Sequence, residues 1–168
     1  MAFRDHLAQA DVISDPVSVE LGIRRLSMQR GDIPLIFDEI IEATGQRAAV
    51  NVLTRSALCQ KWDCTPSELG AAMIEAQHHP VEPTHVDFTD ARFNHLVSHD
   101  VDLTTIPVPW HFEEDRGRYM SASIIIAQYA GRRNLSFHRM YVRSPNTTVA
   151  RLVPRHLCEM VEQARANG

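Results

Sequence analysis

The chain has little of what marks membrane, fibrous or disulfide-bonded proteins. Its 168 residues contain no apolar run longer than the four residues 124–127, which is far too short to cross a bilayer. Its first residues are polar where a targeting peptide would be apolar. Its three cysteines stand at no recognised metal spacing, and we interpret them as reduced thiols of a cytoplasmic protein. We therefore expect a soluble globular protein that has no membrane partner.

Lysine is almost absent, since Lys61 stands alone beside sixteen arginines. A planar guanidinium suits phosphate or carboxylate recognition, although a genome rich in arginine codons would produce the same bias. The net charge is −4, and no block of like charge runs for five or six residues. Nucleic-acid binding proteins are usually basic, so we expect no nucleic-acid partner.

Hydrophobic spacing predicts an α/β N-terminal domain over residues 1–100. The predicted elements are helices at 3–10 and 18–30 and strands at 35–37 and 48–53. Thr65, Pro66 and Glu68 occupy N-cap, first and third positions of a further helix that runs to about residue 77.

The pattern changes after residue 100, from mixed elements to strands. Prolines make residues 102–109 an extended connector. The predicted elements that follow are strands at 119–129, 134–142 and 149–153, a turn at 130–133, and a helix that opens at Pro154. Two or three strands and one helix bury little apolar surface. We therefore expect residues 101–168 to be the beginning of a second domain that continues beyond residue 168.

One predicted strand carries a row of small polar side chains. Alternation puts Asn134, Ser136 and His138 on one face of the strand. A polar row on a face that should be core indicates a polar ligand, although a plainly solvated face would look the same.

Two further groups could carry chemistry. His156 lies in the first turn of the last predicted helix, where the helix dipole favours the neutral imidazole that can bind a metal. An exposed or capping histidine is the alternative. The acids at 113–115 could bind a metal, but we expect them to form a solvated loop.

Together these segments resemble the UbiD family of reversible decarboxylases, which use prenylated flavin mononucleotide (FMN). The segments that carry the resemblance, in one order, are 100–103, 106–111, 115–119, 134–139 and 153–157, with looser matches at 49–54 and 64–69. The resemblance implies an α+β fold in which a small mixed domain precedes a split β-barrel that holds the flavin.

The resemblance also implies roles for individual residues. Asn134 and His156 would bind a divalent metal, Mn²⁺ or Mg²⁺, that bridges to the flavin phosphate, and K⁺ is a further possible ion. Arg139 would be the active-site arginine that pairs with the substrate carboxylate or a catalytic glutamate. The residues implied for cofactor binding are Asn134, Ser136, Phe137, His138, Arg139, Arg155 and His156. A regular strand puts Asn134 and Arg139 on opposite faces, so we expect a bulge or twist between them.

The resemblance therefore predicts the N-terminal part of a prenylated-FMN-dependent decarboxylase of an α,β-unsaturated or aromatic carboxylic acid. The third metal ligand and the catalytic glutamates would lie beyond residue 168, and this chain alone would be inactive. We expect a homo-oligomer or association with the C-terminal portion. The alternative is a non-catalytic structural or assembly subunit of a multi-chain decarboxylase.

Overall fold

A computed structural model describes residues 3–91, 93 and 97–168. These residues form two three-stranded sheets and four α-helices, which confirms the mixed α+β class. The strands are β1 (Asp11–Ile13), β2 (Leu35–Phe37), β3 (Ala48–Val50), β4 (Tyr119–Tyr129), β5 (Arg132–Ser144) and β6 (Thr147–Ala150). The helices are α1 (Gly22–Arg30), α2 (Arg55–Trp62), α3 (Leu69–His78) and α4 (His156–Ala166). Short 3₁₀ helices lie at Phe3–Gln9, Phe88–Asp90 and Leu103–Thr105.

The first sheet has the order β1-β2-β3, with β1 parallel and β3 antiparallel to the central β2. The fully buried side chains of Leu35 and Phe37 in β2 pack with Ile23 of α1 to form the centre of the core. Apolar side chains at alternate positions of a short central strand thus bury on one face. Strand β2 is where the sequence predicted it, whereas β1 was not predicted.

Helix α1 begins at Gly22, four residues later than predicted. Leu21 has φ 61°, a left-handed conformation that cannot continue into a helix. Val17 and Val19 lie before it in a bridge and a turn, and both are buried in the core, with Val17 pairing to Ile40. Val19 fitted the helical period of Ile23 and Leu26, but it lies in a non-helical segment.

Strand β3 ends at Val50, although a strand was predicted over 48–53. Asn51 has φ 57°, which turns the chain out of the sheet. Its side-chain Nδ2 donates to the carbonyl oxygens of Gly31, at 2.7 Å, and Ile33, at 3.2 Å. These hydrogen bonds tie Asn51 to the segment between α1 and β2, at the point where β3 ends.

Helices α2 and α3 follow the first sheet along the chain. Helix α2 was not predicted, although Thr54 caps it by accepting the Ala57 N–H at 3.2 Å. At the start of α3 the Glu68 carboxylate accepts the Thr65 N–H at 2.9 Å, as a capping box requires. The regular α-helix begins only at Leu69, after one turn of tighter backbone.

The second sheet is the antiparallel arrangement that the sequence predicted, in the order β4-β5-β6. Ala130 and Gly131 both have positive φ, 48° and 76°, as a tight two-residue hairpin turn needs. The register shifts between Met120 and Ser123, so two residues of β4 lie opposite Arg139 of β5. Strand β6 comes earlier than predicted and ends at Ala150.

Helix α4 packs on the β4–β5 hairpin through its buried residues Leu157 and Met160. Its C-terminal end is held by Tyr129, whose hydroxyl donates to the Gln163 carbonyl at 3.3 Å and accepts from Asn167 Nδ2 at 2.8 Å. The helix begins two residues after Pro154, because Arg155 is extended. Among the described residues, no helix is long and apolar enough to span a membrane.

The connector before β4 links the second sheet to the segment that precedes α1. Trp110 donates its backbone N–H to Val19 O at 2.9 Å and accepts the Leu21 N–H at 3.1 Å. Of the connector predicted to be extended over 102–109, Leu103–Thr105 form a 3₁₀ helix, and Asp102 and Ile106 on either side of it are extended. The backbone of Trp110 thereby fixes the segment that leads into β4 against the entry to α1.

Candidate functional site

A cavity of about 370 Å³ opens between β5 and the segment that leads into α4. Its lining contains every residue predicted for cofactor binding except Arg139. The lining residues are Asn134, Leu135, Ser136, Phe137, His138, Val153, Arg155, His156 and Leu157. The structure therefore brings together two motifs that are about twenty residues apart in sequence, because β6 and its turn lead the chain back along β5.

The polar row of β5 is a hydrogen-bonded chain. Asn134 Nδ2 donates to Ser136 Oγ at 3.2 Å, and Ser136 Oγ lies 2.9 Å from His138 Nε2. All three side chains are half-buried, while the intervening Leu135 and Phe137 are exposed. With His138 in its Nδ1–H tautomer, its Nε2 accepts the Ser136 hydroxyl. Both hydrogen bonds then run in one direction, from Asn134 through Ser136 to His138. The plainly solvated face that the sequence left open is therefore not what forms.

Asn134 and His156 offer the cavity two unengaged ligand atoms. Asn134 uses its Nδ2 on Ser136, so its Oδ1 remains for a cation, and no described residue donates to that oxygen. The His156 ring makes no hydrogen bond or ion pair with any part of the chain that the structure describes. An amide oxygen with an imidazole suits Mn²⁺ or Mg²⁺.

The same region lacks a carboxylate that would complete a metal site. Within residues 3–91, 93 and 97–168, no three His, Cys, Asp or Glu side chains are grouped to hold a metal. Glu159 lies one turn beyond His156 in α4, but it pairs with Arg132 at 3.7 Å. The described residues therefore fit a metal only in part, and a further ligand has to come from elsewhere.

The N-terminus of α4 faces the cavity without a cap. Its preceding residue, Arg155, is extended, and no side chain of the described residues caps the first-turn N–H groups. Free N–H groups at a helix N-terminus attract anions through the helix dipole. Arg155, His156 and Leu157 also line the cavity. This end of the cavity suits a phosphate group.

Arg139 lies outside the cavity, on the opposite face of β5. Its guanidinium forms an ion pair with Asp115 and lies over the ring of Tyr119, with Cζ 3.9 Å from the ring centroid. The bulge expected between Asn134 and Arg139 is absent from β5: the irregularity lies in β4, opposite Arg139, and the side chains of β5 keep alternating through Arg139. Arg139 and Asn134 consequently remain on different faces.

Asp115 is the residue that sequence reasoning missed. We expected a solvated loop at 113–115, and Glu113 and Glu114 are indeed exposed, but the Asp115 side chain is only 13% exposed. Its partner Arg139 lies 24 residues further along the chain, so no local pattern indicates the pair. The signal that could have found it is the position of Asp115 in a segment that carried the family resemblance.

His111 stands beside this ion pair. Burial lowers the pKa of the His111 imidazole, and the cationic Arg139 and Arg24 lower it further, against the opposing effect of Asp115. Arg24 also lies over the Phe112 ring, 5.2 Å from its centroid. A histidine in this setting favours its neutral form.

Comparison with known sequences places the chain in a family. Residues 84–168 match the UbiD family, described as the 3-octaprenyl-4-hydroxybenzoate carboxy-lyase Rift-related domain. The anhydromevalonate phosphate decarboxylase of Methanothermobacter thermautotrophicus is 31% identical over 117 residues, which are 68% of this chain and 27% of that protein. The enzyme of the same name from Archaeoglobus fulgidus is 29% identical over 168 residues, 96% of this chain and 38% of that protein. The chain thus spans well under half the length of these relatives.

Solved structures share the fold. An evolved dimeric form of the UbiD-class enzyme HmfF from Pelotomaculum thermopropionicum, in complex with prFMN, superimposes with a TM-score of 0.88. It is 23% identical, over 99% of this chain and 42% of that chain. The 3,4-dihydroxybenzoic acid decarboxylase AroY of Klebsiella pneumoniae gives a TM-score of 0.83 at 20% identity, over 99% of this chain and 40% of that chain. The sequence match over residues 84–168 and the shared fold agree with the motifs that line the cavity, and the chain belongs to the UbiD family.

Proposed function

We propose that this chain is the N-terminal part of a decarboxylase that binds prenylated FMN and a divalent metal in the cavity between β5 and α4. The supporting observation is the gathering of Asn134, Ser136, His138 and His156 around one cavity, with unengaged ligand atoms on the first and last. We keep the predicted division at residue 100, with the flavin-binding domain beginning at 101.

Each residue has a distinct task in this proposal. Asn134 Oδ1 and His156 bind Mn²⁺ or Mg²⁺, and the uncapped N-terminus of α4 holds the flavin phosphate next to that cation. Ser136 and His138 fix the orientation of Asn134 through their hydrogen bonds. Phe137 and Arg155 line the remaining wall. A second ion such as K⁺ would be held by groups outside this set.

The bound flavin would supply an electron sink for the pair left behind by departing CO₂. In this proposal Arg139 moves from the opposite face of β5 towards the bound flavin and provides the cation for the carboxylate of the substrate, in a bidentate pair that its planar guanidinium favours. To do so it would exchange Asp115 for the substrate. Both partners are carboxylates, so the exchange keeps the charge balance at Arg139.

The names of similar proteins indicate which acids to assay. The curated relatives are named for anhydromevalonate phosphate, and AroY for 3,4-dihydroxybenzoic acid. We infer a substrate that is an α,β-unsaturated or aromatic carboxylic acid, and both kinds belong in the assay.

An exposed apolar patch on the outer face of the β4–β5 hairpin supports association of this chain with a further protein segment. Its side chains Ile124, Ile126, Leu135 and Phe137 are 56–76% exposed, although cross-strand pairing makes them one apolar patch. Patches of this kind mark interaction surfaces. The C-terminal portion of the enzyme, or a second copy of the chain, would cover it.

A non-catalytic assembly subunit remains the alternative. It is favoured by the incomplete ligand set, since the described residues offer the metal no carboxylate.

The experiment compares the 168-residue chain with the product of its whole reading frame. Each is purified, loaded with prenylated FMN and Mn²⁺, and assayed for CO₂ release from cinnamate-like, phosphorylated and dihydroxybenzoic acids. The proposal expects turnover by the whole product and none by the 168-residue chain. Flavin and metal retention without turnover by the whole product would instead support the assembly subunit. Robust turnover by the isolated chain would overturn the assignment of its missing groups.

A further inference from the structure

Cys59 and Cys64 meet where α2 ends. Asp63, the first residue past the helix, has φ 49° and ψ 50°, and its N–H bonds to the Cys59 carbonyl. The Cys64 N–H bonds to the same carbonyl at 3.0 Å. This six-residue closure is typical of the Schellman helix end, which brings the side chains of its first and last residues into contact. In this chain both of those residues are cysteines.

Both thiols are free. Cys59 is buried, with 7% exposure, whereas Cys64 is partly accessible to solvent. Burial raises the pKa of the Cys64 thiol, and Cys59, Glu68 and Asp63 raise it further. Cys64 is therefore a protonated thiol at neutral pH, and it is the member of the pair that an oxidant can reach.

We propose that Cys59 and Cys64 form a reversible disulfide that locks the C-terminal end of α2. The oxidant is a soluble disulfide such as oxidised glutathione. The Cys64 thiolate attacks it and releases one reduced glutathione, and Cys59 then attacks the mixed disulfide at Cys64 and releases the second. Two thiol protons and two electrons leave the protein, and one disulfide of glutathione is reduced. The proposal is independent of the decarboxylase activity.

The two cysteines are close in space because of the backbone at the helix end, and not only because they are close in sequence. Only four residues separate them, so an unfolded chain could also close the ring. In the folded chain the backbone already holds Cys59 and Cys64 together, and closure orders nothing more. The equilibrium constant for disulfide formation should therefore be larger in the folded chain than in the unfolded chain. Because the two equilibria are linked, the disulfide should raise the free energy of unfolding by the corresponding amount.

The position of Lys61 makes the disulfide directly measurable. Trypsin cleaves after Arg55 and Lys61, which puts Cys59 in peptide 56–61 and Cys64 in peptide 62–92. Cys158 falls in peptide 156–165 and serves as an internal control. The chain is equilibrated in glutathione buffers with and without urea, and its free thiols are then blocked with N-ethylmaleimide. After trypsin digestion, the peptide masses are measured by mass spectrometry without reductant.

The expected result is a linked 56–61/62–92 pair whose equilibrium constant is at least tenfold larger in native buffer than in urea. Tenfold corresponds to about 1.4 kcal/mol of added stability, which urea unfolding of the oxidised chain checks. Asp63→Gly keeps the left-handed conformation and should preserve the preference, whereas Asp63→Val should reduce it several-fold. A linked pair no more abundant than in urea, or Cys64 trapped as its glutathione mixed disulfide, would overturn the proposal.

Discussion

Arg139 and Asp115 form an ion pair over the face of Tyr119, on the side of β5 that turns away from the cavity. The carboxylate is largely buried, and the ring holds the guanidinium from below. An arginine so placed is preorganised, because its long side chain has already lost much of its rotamer freedom. The ion pair shows that the Arg139 guanidinium is already held against a carboxylate, that of Asp115, before any substrate binds.

Arg139→Lys should lower kcat/KM of the whole enzyme by about a hundredfold or more and leave flavin retention nearly unchanged. Lysine keeps the charge but cannot make two parallel hydrogen bonds or stack on Tyr119. Arg143→Lys, at another exposed position of β5, is the control and should stay near wild type. If the Arg139 variant loses flavin but keeps its turnover per bound flavin, the arginine binds cofactor rather than substrate.

His156→Ala should lower Mn²⁺ occupancy at least tenfold, about 1.4 kcal/mol, because it removes one of two ligands that the described residues offer. Metal content is measured in the purified whole protein by elemental analysis, with flavin content from absorbance. His78→Ala removes an exposed histidine from α3, outside the cavity, and should leave both contents unchanged. Equal metal and flavin in the two variants would contradict the site.

Met160→Ala should destabilise the docking of α4 by about 2–5 kcal/mol, since Met160 is 3% exposed beneath the helix. Helix α4 carries His156, so flavin retention should fall with it. Met28→Ala, at a position that is 62% exposed in α1, should change stability by less than about 0.5 kcal/mol. Urea unfolding monitored by circular dichroism checks both, and similar midpoints would show that α4 is not held by this contact.

The lowered pKa of His111 predicts a loss of stability on mild acidification. Burial comes first among its causes, followed by Arg139 and Arg24. Below its ordinary value of 6.5 the unfolded chain binds a proton that the folded chain resists, so the free energy of unfolding falls as pH falls. Wild type should therefore lose more stability than His111→Gln between about pH 7.5 and about pH 5.5. A constant difference between the two proteins across that range would contradict this.

The double variant Ile126→Thr, Leu135→Thr should reduce association of the 168-residue chain with itself. The two residues lie opposite each other on the outer face of the hairpin, 68% and 62% exposed. Threonine keeps the strand preference but removes apolar area. Sedimentation velocity measures the effect, and Leu53→Thr, at an exposed position elsewhere, is the control. Unchanged association in the double variant would assign self-contact to another surface.

Local sequence determined the elements that depend on neighbouring residues. The alternation along β5 placed Asn134, Ser136 and His138 on one face, because successive side chains of a strand point to opposite sides. The turn at Ala130 and Gly131 and the first-turn position of His156 followed from equally local signals. Short segments fell outside this reach. Strand β1 has three residues and forms only because β2 is beside it, so its own sequence contains too little signal.

Tertiary structure decided which of these groups meet. The Leu21 backbone delayed the start of α1 to Gly22, because the core takes Val17 and Val19 from the non-helical segment before it. Asp115 became the partner of Arg139 across 24 residues, through the packing of a loop on a strand. Such contacts depend on the whole chain path, which local backbone preference does not contain. By itself the sequence determined the strand faces, the hairpin and the resemblance to a family. The resemblance implied that Asn134 and His156 share a site, and alternation put Arg139 on the other face of β5. Only the fold supplied the chain path that lines one cavity with Asn134 and His156 and pairs Arg139 with Asp115.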